Sequence, residues 1–113
     1  MDGYFVLNER GEPRLEPDIE AWSRWFQCTD RSVARTVVSA GITVLTTFRG
    51  VGETNETGEA PPLFETRVLG GILDGGEKWS RTRAEAVVGH EWLVAWCRVG
   101  STHNHGITEA QLR

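Results

Sequence analysis

The segment from Pro61 to His90, PPLFETRVLGGILDGGEKWSRTRAEAVVGH, constrains this chain more than any other. Leu63 to Leu69 lies between a proline pair and a glycine pair and is rich in strand-forming residues, so it predicts a β-strand. Gly70-Gly71 and Gly75-Gly76 then punctuate a turn-rich connection. Thr82 followed three residues later by Glu85 is a capping box, in which each residue satisfies an amide that a helix start would otherwise leave unpaired. The segment therefore predicts one strand, one glycine turn and the start of a helix at Thr82.

The predicted helix is apolar on more than one side. Ala86, His90, Leu93 and Cys97 recur along one stripe with Val87 and Val94 beside it, while Trp92 and Trp96 form a second ridge one helical turn apart. Upstream, Tyr4 to Leu7 reads as a short strand closed by the polar turn Asn8 to Pro13. Pro17 fits the first position of a helix, with Asp18 and Glu20 complementing its positive dipole end. Ile19, Trp22 and Phe26 give that helix a buried aromatic face by their spacing.

From Ser32 the pattern turns β-branched. Val33 to Val38 and Ile42 to Thr47, closed by Phe48 and parted by Ser39-Ala40-Gly41, predict a hairpin. Gly50 to Glu59 is acidic and almost free of apolar residues, which predicts a mobile loop. The Leu63 to Leu69 strand is expected beside the hairpin, because consecutive strands are usually neighbours. The fold class expected is α+β: an antiparallel sheet of three to four strands with two helices packed on one face. Residues 1–99 are read as a single domain and residues 100–113 as an extended or flexible C-terminal tail.

The 113 residues suit one domain with a modest core, and a 25% charged content is ordinary for a soluble globular chain. The net charge of −4 argues against a generally basic nucleic-acid binder. No apolar run approaches the roughly 18 residues that span a membrane, and the segment after Met1 lacks the basic and apolar regions of a signal peptide. A cytoplasmic setting follows as the expectation. In such a reducing compartment Cys28 and Cys97 are expected to be free thiols acting as small hydrophobes beside tryptophans.

PPLFET, the GG and LD that follow, the aromatic-Ser-x-Thr at Trp79 to Thr82, the EA at Glu85-Ala86 and the GH at Gly89-His90 resemble a family of small proteins encoded by bacteriophages and prophages. In that family a PPLLFET…GG…YST…EA…GH string recurs. The Trp22/Trp25 helix, the RSVART segment and the TVLTTFRG strand stand in the family's order, so the resemblance spans roughly residues 4 to 95. It implies a phage accessory protein and assigns no catalytic residues. Trp79 stands where the family has Tyr, and Arg67 takes a usually apolar strand position.

Four groups of residues are candidates for function. Lys78, Arg81 and Arg83, with Ser80, gather near the start of the second helix, where cations oppose the macrodipole; a bound anion, with Trp79 stacking on a base, would resolve the conflict. The plainer account pairs them with Asp74, Glu77 and Glu85. Trp92 and Trp96, joined by Trp79, are either core or an interface, since tryptophan is enriched among the residues that dominate binding. His103 and His105 point to one side of an extended segment and could hold a metal, although a closed structural zinc site needs four ligands. Glu65, buried beside Leu63 and Phe64, could act as a base with His90; a surface ion pair with Arg67 is the simpler reading.

Without a cofactor motif or an oriented nucleophile, the functional expectation is a non-enzymatic phage-type protein that binds a host or phage protein complex. A nucleic-acid-handling or CRISPR-type defence complex fits the acidic residues Glu53, Glu56 and Glu59. The alternatives are an anion or single-strand binding module on Lys78 to Arg83, a small enzyme on Glu65 and His90, and a virion component or homodimer joined through the Trp92/Trp96 face. No cofactor is expected.

Overall fold

The computed structural model describes residues 2–54 and 60–102. It consists of two antiparallel sheets and two helices, an α+β arrangement. A three-stranded sheet has the order β2-β1-β5, formed by β1 (Asp2–Leu7), β2 (Pro13–Leu15) and β5 (Val51–Glu53). A four-stranded sheet has the order β3-β4-β6-β7, formed by β3 (Ser32–Ser39), β4 (Ile42–Phe48), β6 (Phe64–Leu69) and β7 (Glu77–Ser80). The hairpin and its neighbouring strand thus lie where the sequence places them.

The second sheet, absent from the sequence reading, is built from short pieces. Asn8 turns the chain between β1 and β2, its side-chain oxygen accepting from the amides of Arg10 at 2.8 Å and Glu12 at 3.0 Å. Val51–Glu53, expected in a mobile loop, instead pairs with Asp2–Tyr4. These three-residue strands carry too little alternation to be legible as strands. Glu53 therefore lies on an exposed edge strand, while Glu56 and Glu59 lie outside the described residues.

Helix α1 (Ile19–Cys28) begins two residues later than Pro17 suggests. Asp18 is the N-cap, its carboxylate accepting from the amides of Glu20 at 3.0 Å and Ala21 at 3.3 Å. A carboxylate that binds two orphan amides fixes the boundary more firmly than a proline with no amide to lose. Ile19 is not part of a buried face: it is 53% exposed. Trp22 and Phe26 do face inward, with ring centroids 4.7 Å apart, and the Trp22 indole donates to the Phe5 carbonyl at 3.0 Å, tying α1 to β1. The two helices accordingly do not share one sheet face. Helix α1 packs on β1, and α2 (Arg83–Thr102) crosses all four strands of the larger sheet.

Helix α2 also runs into the segment expected to be an extended tail, since residues 100–102 are helical. His103 and His105, and the remainder of that segment, lie outside the described residues.

The core forms two adjoining clusters. Phe5, Phe48, Leu63, Phe64 and Ala86 make one, and Val44, Val68, Leu93, Val94 and Cys97 make the other. Strand alternation sends Val44, Thr46 and Phe48 of β4, with Phe64, Thr66 and Val68 of β6, toward α2. Glu65 and Arg67 point the other way.

Candidate functional site

The second helix is the element on which most candidate residues meet. Thr82 starts it, accepting the Glu85 amide on its hydroxyl at 3.1 Å and the Ala86 amide on its carbonyl at 3.0 Å. Ala86, His90, Leu93, Val94 and Cys97 are buried against the sheet, as the helical spacing predicts. On the diametrically opposite side, at the positions that a 3.6-residue repeat brings into line, stand Val88, Trp92, Ala95 and Val99. Val88 is 70% exposed, Trp92 48% and Val99 43%. Burial of hydrophobic residues is normally the gain that orders such a helix, and this one leaves a second apolar stripe in solvent.

Trp92 and Trp96 touch edge to face, with centroids 5.7 Å apart. Trp96 is half-buried, so the ridge has one exposed indole and one that supports it. Gly89 has a specific part in this arrangement. The stem of Lys78 crosses the helix at that position, and a Cβ on Gly89 would sit 3.0 Å from Lys78 Cδ. The ammonium group consequently reaches 5.6 Å from the centre of the Trp92 ring, a cation–π approach that holds the exposed indole in place.

The anion-site residues are not brought together. Lys78, Trp79 and Ser80 belong to strand β7 rather than to the helix start, and β7 alternation sends Ser80 into the protein and Trp79 to the opposite face. Arg81 donates to the Ala60 carbonyl at 3.1 Å. The Arg83 side chain lies over Gly11, where its guanidinium and Cδ would meet an added Cβ at 2.9 Å. The three cations therefore point to three different parts of the surface. Trp79 is 44% exposed on the sheet face away from α2, in register with Glu65.

Glu65 and His90 are separated by the sheet. Arg67 lies 3.4 Å from both Glu65 and Glu77, and Arg49 reaches Glu65 at 3.9 Å, so the surface ion-pair reading of Glu65 holds. His90 is on the other side, buried at 4% exposure. Its Nε2 lies 2.9 Å from the Thr36 hydroxyl and its Nδ1 2.8 Å from that of Thr46, which in turn lies 2.6 Å from Thr66. Burial pushes the His90 pKa below its ordinary 6.5, with Glu91 opposing. A neutral ring that donates from one nitrogen and accepts at the other satisfies this chain of hydroxyls. The threonine partners were not anticipated from the sequence; the signal was their inward parity on three adjacent strands.

Above this network a groove of about 390 Å³ runs between β3 and α2, with His90 at its floor and Glu91 and Arg98 at its rim. Among the described residues no group of three or more His, Cys, Asp or Glu side chains is arranged to hold a metal, and no helix is long and apolar enough to cross a membrane. Both cysteines are free, Cys97 buried as expected and Cys28 exposed at the end of α1 rather than packed as a small hydrophobe. Compared with protein-family models, curated proteins and solved structures, the chain has no match.

Proposed function

We propose that this chain is a non-enzymatic, phage-type accessory protein that works by docking the outward stripe of α2 onto a protein surface in the bacterial cytoplasm. The observation that carries this reading is the pairing of two opposite apolar stripes on one helix, with Val88 at 70% and Trp92 at 48% exposure on the side away from the core. An exposed tryptophan backed by a second indole and a lysine has the make-up of a binding anchor, which contributes most when it is already ordered before the partner arrives. The partner class is a host or phage protein complex. A nucleic-acid-handling or CRISPR-type defence complex suits a chain of net charge −4 whose Glu53 is exposed on an edge strand.

Affinity capture from bacterial lysate tests the reading. The expected result is a stoichiometric protein partner that is lost when Trp92 and Trp96 are both changed to Ala in a variant shown to be folded. Capture unchanged by those substitutions would move the interface away from α2. Neutralising Glu53, Glu56 and Glu59 together is expected to slow association and flatten its salt dependence; an unchanged on-rate would remove the charge contribution.

A further inference from the structure

The exposed stripe of α2 is self-complementary, and this names an occupant for it. Val88, Trp92, Ala95 and Val99 follow one another at intervals of four, three and four residues, the spacing of the apolar seam between paired helices. When two such helices are laid antiparallel about a two-fold axis passing between Leu93 and Val94, the large Trp92 falls opposite Ala95 of the partner subunit. Val88 falls opposite Val99 of the partner subunit. Large side chains thus meet small ones, and the two valine layers close the ends.

The flanks agree with the same register. Glu91 and Arg98 lie on one side of the seam, both exposed at the rim of the groove beside β3. In an antiparallel pair the residues preceding the seam meet across it, so Glu91 stands near Arg98 of the partner subunit and Arg98 near Glu91 of the partner subunit. On the other flank, Trp96 comes across from Gly89 of the partner subunit, where the Lys78 stem lies over the helix and offers the indole an aliphatic chain to pack on. A parallel arrangement would instead set Trp92 against its own copy and put Glu91 across from Trp96 of the partner subunit, leaving the carboxylate without an opposite charge.

We infer that in the free protein this face is covered by a second copy of the chain, joined by antiparallel packing of α2 on α2, which the protein partner has to displace. The inference rests on the reading of the outward stripe as a docking surface. From Val88 to Val99 the seam is about 16 Å long at 1.5 Å per residue. A helix pair of that length buries less than the roughly 1,200 Å² of a standard stable interface, so the dimer forms in a concentration-dependent way.

Sedimentation of the full chain over a wide concentration range, with circular dichroism to confirm folding of each variant, provides the test. The wild type is expected to pass from the 12.6 kDa monomer to twice that mass as concentration rises. Glu91→Arg alone and Arg98→Glu alone each place like charges across the two-fold and weaken the dimer by about tenfold or more. The double variant Glu91→Arg/Arg98→Glu restores it, which no merely structural effect of either residue would do. Trp92→Glu, an exposed position, gives a folded monomer.

A chain monomeric at every concentration overturns the inference. So does a dimer indifferent to Trp92→Glu, or single charge reversals that weaken the dimer with no recovery in the double variant. If the chain is monomeric yet captures another protein through Trp92 and Trp96, the inference falls and the docking function stands. If it binds neither itself nor another protein, both fall.

Discussion

Thr46 on β4 and His90 on α2 are joined by a 2.8 Å hydrogen bond through the centre of the sheet–helix interface, and Thr46 passes the contact on to Thr66 at 2.6 Å. This polar chain lies among apolar neighbours, so it stabilises only while every member is paired. Thr46→Val removes a partner from both His90 and Thr66 at nearly constant volume. It is expected to cost about 1–3 kcal/mol in denaturant unfolding. A loss below a few tenths would mean that the hydroxyls are not coupled as the distances indicate.

The same histidine sets a pH dependence. Its pKa is lowered by burial in the folded protein, so below the ordinary value of 6.5 the unfolded chain binds the proton more readily than the native one. Stability therefore falls as pH drops through and below that value and is fully present above it. Thermal unfolding between about pH 7.5 and pH 5 is expected to show this decline in the wild type and a smaller one in His90→Gln. Parallel curves would assign the dependence to other groups.

The glycine pairs give a contrast within one turn. Gly70 has φ +89°, and a Cβ there would lie 1.7 Å from the Gly41 carbonyl oxygen. Gly75 has φ +84° but open space around it. Gly75→Ala should cost about 1 kcal/mol from backbone conformation alone, whereas Gly70→Ala must move the hairpin turn and should cost several times more. Equal effects would contradict the close approach of the two turns.

How far the fold was legible follows from the length of each pattern. The β3–β4 hairpin, β6 and α2 have long apolar repeats with strong punctuation, and they lie where these signals put them. Strands β2, β5 and β7 do not. Lys78-Trp79-Ser80 carries a helix-start context in sequence, yet β6 offers it an open edge, and tertiary pairing outweighs local preference. The exposed stripe of α2 was visible as an excess of apolar residues around the helix. That Lys78 would brace Trp92 across Gly89 was not, because it depends on where β7 runs.

The cysteines divide by environment. Cys97 is buried and its thiol pKa is raised by that burial, while Cys28 is exposed. A thiol reagent is expected to modify Cys28 alone in the native protein and both residues after unfolding. Two fast thiols without denaturant would show that α2 opens readily from the sheet.

Selective labelling of Cys28 makes the most direct test of the central claim available. Fluorescently labelled wild type and a Val88→Asp/Trp92→Ala variant, each confirmed as folded, are sedimented side by side in bacterial lysate. The docking account predicts that the wild type travels faster than a 12.6 kDa monomer, bound to itself or to another protein, and that the variant travels as the monomer. Identical sedimentation of the two would contradict it, because the outward stripe of α2 would then be holding nothing.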